Sequence, residues 1–179
     1  MTAVIFPGQG SQYSNMAMDF NDNFKISTDI FEEIEESTQI NIRKIISENP
    51  NDELNQTKFT QIAIFSASMV IYKTIIHEFG IEVINPKIFL GHSLGEYSAL
   101  VAKDILSLSE ASNLIKRRGE LMDSAIKPNI SGMAAIIGKN SKDIDNIIKK
   151  NNLDIEIAND NSPMQVVISG LIKDVDAAQ

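Results

Sequence analysis

The sequence predicts an α/β protein, and three stretches carry that prediction. Gly91-His92-Ser93-Leu94-Gly95-Glu96-Tyr97 follows the apolar run Ile88-Phe89-Leu90 and precedes Ser98-Ala99-Leu100-Val101-Ala102, so a short buried strand, a sharp turn and a helix succeed one another. Ala3-Val4-Ile5-Phe6 is a second β-branched run, again of buried-strand character, and it ends in Pro7-Gly8-Gln9-Gly10-Ser11-Gln12. Beyond Lys127-Pro128-Asn129 the pattern changes, and the order strand, helix, strand, strand, helix is that of a split βαβ unit without its last strand.

The elements follow in order. The loop around Gln9, flanked by glycines, leads into a helix carrying Met16, Met18 and Phe20. Asp22 to Ser37 reads as an amphipathic helix with Phe24, Ile30, Phe31 and Ile34 inward and Glu32, Glu33, Glu35 and Glu36 on a solvated face. Ile40, Ile42, Ile45 and Ile46 make a short helix that Asn49-Pro50-Asn51-Asp52 breaks. Gln61 to Phe79 is apolar on nearly every side, the mark of a buried central helix, and Gly80 is its C-terminal cap. After the Ser93 turn, Ser107 or Ser109 caps a helix to about Ala125 with Ala111, Leu114, Ile115, Leu121, Met122 and Ala125 inward. Met133 to Ile137 is a strand, Ser141 to Asn151 a helix, and Ile155-Glu156-Ile157 and Gln165 to Ser169 are two strands around the turn Asn159 to Pro163, before a helix from Lys173.

Composition narrows the function classes. The 179 residues are 43% hydrophobic, ample for a core, and no apolar run approaches the ~20 residues of a membrane span. The N-terminus lacks the basic flank and cleavage site of a signal peptide. With no cysteine there is no disulfide framework, thiolate nucleophile or cysteine-held zinc, and a cytoplasmic enzyme is expected. A net charge of −8 argues against nucleic acid or an anionic membrane as partner.

Gly91-His92-Ser93-Leu94-Gly95 is a G-x-S-x-G sequence in the context of a nucleophile elbow. The two glycines permit close backbone approach, Ser93 exposes its hydroxyl at the corner, and the next N–H is free to bind an oxyanion. Arg118 falls in the middle of the inward stripe of its helix, whereas Lys116 and Arg117 point elsewhere. A guanidinium is costly to bury without an anion, so it is either salt-bridged to a core carboxylate or a clamp for a substrate carboxylate, and periodicity leaves both open. The hydroxyl also needs a base. His92, beside Ser93, should project away from it, and His77 lies at a helix end. Either a carboxylate serves or the base lies beyond Gln179, and the unfinished second part makes a truncated chain the expectation.

Together these motifs resemble the malonyl-CoA:acyl-carrier-protein transacylases and the acyltransferase domains of fatty acid and polyketide synthases. Phe6 to Gln12, Gly91 to Leu100, Arg118-Gly119 with Met122, Gly132 to Gly138, and Asn161-Ser162-Pro163 leading to Gln165 to Gly170 all match, in order along the whole chain. The resemblance implies an α/β-hydrolase-like parallel-sheet subdomain over residues 1–125 and an incomplete ferredoxin-like (split βαβ) subdomain over 126–179. It implies that Ser93 carries the acyl ester, that the N–H groups of Gln9 and Leu94 form the oxyanion hole, and that Arg118 holds the malonyl carboxylate. Malonyl-CoA and acyl carrier protein are the implied partners, with no cofactor, no metal and a monomeric, stand-alone enzyme.

The chain departs from the family in having Ile62 where proline usually follows Gln61, and Lys103-Asp104 in place of Ala-Gly. Asp104 there needs a left-handed backbone. Acidic carrier proteins would require a local basic patch, for which Lys116, Arg117, Lys127 and Lys139 are candidates. The competing readings are a serine hydrolase of α/β-hydrolase or patatin-like type and an inactive fragment. The first leaves Arg118 and the N-terminal glycine loop unexplained, and no Asp-Gly pair for a patatin-like dyad follows Ser93.

Overall fold

The computed structural model describes residues 1–125 and 130–178. Ile126, the pattern change at Lys127-Pro128-Asn129 and Gln179 lie outside the described residues. The chain forms two compact units, Met1–Asp123 and Ser124–Gln179.

In the first unit, β1 (Thr2–Phe6) and β2 (Pro86–Gly91) pair in parallel, with Val4 opposite Phe89 and Phe6 opposite Gly91. Between them run α1 (Met18–Asn23), α2 (Lys25–Thr38), α3 (Ile42–Glu48) and α4 (Thr57–Phe79), and after β2 come α5 (Gly95–Ala102) and α6 (Leu108–Ser124). One face of the two strands packs on α4: Tyr72 meets the Phe6 and Phe89 rings edge-on at 5.7 and 6.0 Å. The opposite face does not follow the sequence reading of buried strands. Ile5, Ile88 and Leu90 are 69%, 40% and 49% exposed. Register explains this, because strand side chains alternate and the pairs Ala3–Ile88 and Ile5–Leu90 therefore share one side of the sheet, which no described element covers.

The expected helix from Asp22 is two helices, because Phe24 adopts an extended backbone between α1 and α2. Ile30, Phe31 and Ile34 are buried, as amphipathic spacing requires. The acidic side of α2 is not wholly solvated. Glu35 Oε2 accepts from both Arg43 Nη2 (2.6 Å) and Nε (3.0 Å), and its Oε1 accepts from the Arg43 backbone N–H at 2.9 Å. α4 starts at Thr57, four residues before the expected start, and Gly80 caps it. Its 23 residues are long and apolar enough to cross a membrane by composition, which corrects the sequence reading, but 67% of its most apolar stretch is buried within the protein.

Ser107, not Ser109, caps α6. Its hydroxyl accepts from the Glu110 N–H at 3.2 Å, while the Glu110 carboxylate accepts from the Ser107 N–H (2.9 Å) and hydroxyl (2.6 Å), a reciprocal capping box. Those bonds, the hydroxyl's first, hold the Glu110 carboxyl below its ordinary pKa. A carboxyl depressed in the folded state stabilises it above the unfolded value and loses that contribution as pH falls through the folded value. The melting-temperature gap between the wild type and Glu110→Ala should therefore be constant near neutral pH and close below about pH 4, which thermal melts across that range would read. Ser109 instead accepts a hydrogen bond from the Ser37 hydroxyl at 2.9 Å.

In the second unit β3 (Ser131–Ile137), β5 (Gln165–Leu171) and β4 (Ile155–Ser162) form an antiparallel sheet in the order β3-β5-β4, with α7 (Ser141–Asn151) and α8 (Ile172–Ala178). Ile144, Ile155, Val166, Ile168 and Val175 are its buried centre. β4 runs on through the expected turn by means of two irregularities. The hairpin reverses at Pro163-Met164, between the paired Ser162 and Gln165.

Candidate active site

Ser93 sits at the end of β2 with φ 52°, the left-handed region that a side chain adopts only at a cost of about 1–3 kcal/mol. Neighbouring backbone enforces it. The His92 N–H bonds Phe6 O (3.2 Å), prolonging the strand pairing, and the Gly95 N–H turns back onto His92 O (2.9 Å). A Cβ on Gly91 would lie 1.9 Å from the Gly95 carbonyl carbon, and one on Gly95 would lie 2.3 Å from Phe6 O. The corner is thus tight because α5 starts directly against the two strand ends. Ser93 is exposed there, and Leu94 is fully buried beneath it.

The Gln9 loop lies against the same corner, since a Cβ on Gly8 would meet His92 O at 2.6 Å. Gly10 at φ 103° turns the loop, and the Ser11 hydroxyl closes it on Gly8 O at 2.8 Å. Among the described residues, no acceptor takes the N–H of Gln9 or of Leu94. The Leu94 N–H, next along the chain from the exposed Ser93, is therefore free, as an oxyanion donor has to be.

Arg118 reaches the corner from α6. Gly119 makes that approach possible: a Cβ there would stand 3.0 Å from Lys58 Cα, in the first turn of α4. The Arg118 Nη2 donates to Ser93 Oγ at 2.8 Å, Nη1 donates to Gln61 Oε1, and the guanidinium lies 5.9 Å from the Tyr97 ring. The stripe reading of α6 needs correction. Leu108, Ala111, Ser112, Ile115 and Gly119 are buried, whereas Leu114, Leu121 and Met122 are 50%, 51% and 43% exposed. The packed face combines Leu108 and Ile115 with the small residues Ala111, Ser112 and Gly119, and half-buried Arg118 borders it. Among the described residues Arg118 has no carboxylate partner, so the salt-bridge alternative falls.

Sequence reasoning missed Gln61 and Thr57. Gln61 is 1% exposed, and its Nε2 donates to Gln9 Oε1 at 2.8 Å. Gln9 Nε2 in turn donates to Thr57 Oγ1 at 3.3 Å. The available signal was a polar pair four residues apart at the start of an otherwise apolar helix.

Neither histidine bonds Ser93: His77 pairs with Glu78 (2.9 Å), and His92 is exposed beside the Gly8 turn. Of the basic candidates, Lys116 is tied to Thr38 O (2.8 Å) and Arg117 to Glu120 (3.4 Å), Lys139 belongs to the second unit, and Lys127 lies outside the described residues. No group of three or more His, Asp or Glu that could hold a metal occurs among the described residues.

A left-handed serine between two close-packed glycines, faced by an arginine, is thus the arrangement at the end of β2. Residues 3–178 match the family described as acyl transferase domain. The chain belongs to this family. It is 37% identical over 179 residues to the polyketide biosynthesis malonyl CoA-acyl carrier protein transacylase of Bacillus subtilis, covering 99% of this chain and 59% of that protein. The solved malonyl CoA-acyl carrier protein transacylase of Coxiella burnetii superposes with a TM-score of 0.89 at 35% identity, over 98% of this chain and 55% of that one. A solved complex of a type II polyketide acyl-carrier protein with its malonyl-transacylase gives 0.88 at 35% identity, over 98% and 57%. The chain spans between half and three-fifths of the length of these relatives.

Proposed function

We propose that the protein transfers a malonyl group from malonyl-CoA to the phosphopantetheine thiol of an acyl carrier protein, in fatty acid or polyketide synthesis. The observation that carries this is Arg118, a guanidinium whose partners among the described residues are all neutral and which donates to the Ser93 hydroxyl at 2.8 Å. A cation left uncompensated at a nucleophile suits an acyl group that brings its own carboxylate, which Arg118 can grip as a fork. A simple ester hydrolase has no use for that charge.

In this reading Ser93 Oγ attacks the thioester carbonyl, and the developing oxyanion is received by the N–H groups of Gln9 and Leu94. The C–S bond then breaks, and the CoA sulfur leaves with the proton that the hydroxyl gave up. The carrier thiol attacks the serine ester by the reverse route. Neither His77 nor His92 is assigned the proton transfer, since neither bonds Ser93. Losing one oxyanion donor typically costs on the order of 3 kcal/mol. No cofactor takes part, and the protein acts as a cytoplasmic monomer without nucleic acid or membrane.

The first subdomain, over 1–125, is α/β-hydrolase-like in this proposal, and the second, over 126–179, is partial ferredoxin-like. The parallel β1–β2 pair leading into the Ser93 corner supports the first, and the β3-β5-β4 order with α7 and α8 supports the second.

Intact-mass analysis after mixing with malonyl-CoA tests the reaction. A gain of one malonyl group is expected, absent from Ser93→Ala and discharged by a holo carrier protein. Release of free malonate and CoA with no transfer to the carrier would favour the hydrolase instead.

A further inference from the structure

Four side chains behind Ser93 form one continuous hydrogen-bonded line. Thr57 Oγ1 accepts from Gln9 Nε2, Gln9 Oε1 accepts from Gln61 Nε2, and Gln61 Oε1 accepts from Arg118, which donates on to Ser93. Arginine has no acceptor, so it dictates the direction of the whole line. Only the carbonyl end of Gln61 can face Arg118. The amino end must then face Gln9, whose own carbonyl is thereby turned inward and whose amino group is turned to Thr57. Thr57 and Gln61 stand one helical turn apart on α4, on the same face, and hold the Gln9 side chain between them.

We propose that Gln61 is a positioning residue that sets acyl selectivity: its buried carboxamide orients the Arg118 guanidinium at Ser93 while keeping it uncompensated, and in the same stroke pins the Gln9 loop. The inference rests on the malonyl-transfer reading above. The side chain has to be an amide. A carboxylate of the same shape at position 61 would still accept from Arg118, but it would neutralise the guanidinium and compete with the substrate carboxylate. It would also lose the donor that Gln9 Oε1 needs. An apolar side chain would leave both Arg118 and Gln9 without a buried partner. The carbonyl of an amide, being neutral, orients the cation and leaves its charge for the ligand.

The test is calorimetric titration of the chain with malonyl-CoA and with acetyl-CoA, for the wild type, Gln61→Glu, Gln61→Met, Arg118→Ala and the double variant Gln61→Glu/Arg118→Ala. The wild type should prefer malonyl-CoA. Gln61→Glu should lose at least about tenfold of that preference with acetyl-CoA affinity little changed. The double variant should discriminate no less than Arg118→Ala alone, because Gln61 acts through the arginine. Should Gln61→Glu fail to fold, Gln61→Met removes both hydrogen bonds at similar volume and reads the same ratio. A purely structural role for Gln61 would weaken both acyl-CoAs alike, and that result overturns the proposal. A preference that persists intact in a folded Gln61 variant also overturns it, leaving malonyl transfer standing. A wild type with no malonyl preference overturns the malonyl reading itself and the role of Gln61 with it.

Discussion

Arg118→Ala should weaken malonyl-CoA binding by about 10- to 100-fold while barely changing that of acetyl-CoA. A hydrogen bond to a charged group contributes about 1.5–3 kcal/mol, and each 1.4 kcal/mol is tenfold in affinity. Acetyl lacks the carboxylate, so it has nothing to lose. The alanine also frees the Ser93 hydroxyl of its Nη2 partner, so nothing in the substitution penalises an uncharged acyl group. Arg118→Lys should recover only part of the loss. An ammonium can neutralise the carboxylate but cannot form the planar fork, nor span Gln61 and Ser93 as the two guanidinium nitrogens do. Parallel titrations with the two acyl-CoAs would check this, and equal losses for both would sink the clamp.

A methyl group at residue 91 should be worse for the fold than any change at the nucleophile. Gly91→Ala would drive its Cβ to within 1.9 Å of the Gly95 carbonyl carbon and 2.3 Å of the Glu96 nitrogen. These atoms are backbone, part of the first turn of α5, and cannot swing aside as a flexible side-chain end does. The strand end or the helix start has to move, at a cost of about 3 kcal/mol or more. In a melt this is a drop of about 10 °C. The displaced corner should also lose the left-handed Ser93, so any serine acylation would fall along with stability. An undiminished melting temperature for Gly91→Ala would show that the close approach of β2 and α5 is not required. Ser93→Ala, by contrast, should melt close to the wild type, because it removes an exposed hydroxyl and leaves the backbone contacts in place.

The two kinds of site residue differ in how far the sequence betrays them. Gly91, Ser93 and Gly95 announce a backbone requirement within five consecutive residues, and the structure answers with φ 52° at Ser93 and glycines pressed on backbone. Arg118 is legible only as an anomaly in a helix. Its surroundings are not, because Gln61 lies 57 positions earlier in the chain and Ser93 25 positions earlier. Local pattern carries no record of such partners. The same limit explains the errors in α6 and in the strands. Leu114, Leu121 and Met122 look like core by hydrophobicity, yet the packed face runs through Leu108, Ala111, Ser112, Ile115 and Gly119, and at Gly119 the missing Cβ allows α6 to approach the start of α4. Ile5, Ile88 and Leu90 suit a strand covered on both faces, but burial depends on which elements lie over the sheet, and spacing within a strand cannot report that.

The uncovered side of the β1–β2 pair also bears on how the protein behaves in a test tube. Exposed aliphatic side chains on one strand face offer other copies a sticky surface, and a net charge of −8 opposes their association by mutual repulsion. That repulsion fades as the solution approaches the sequence pI of 4.7. Concentrated samples should therefore be handled well above it and at modest salt, where like charges still hold the greasy faces out of reach of one another.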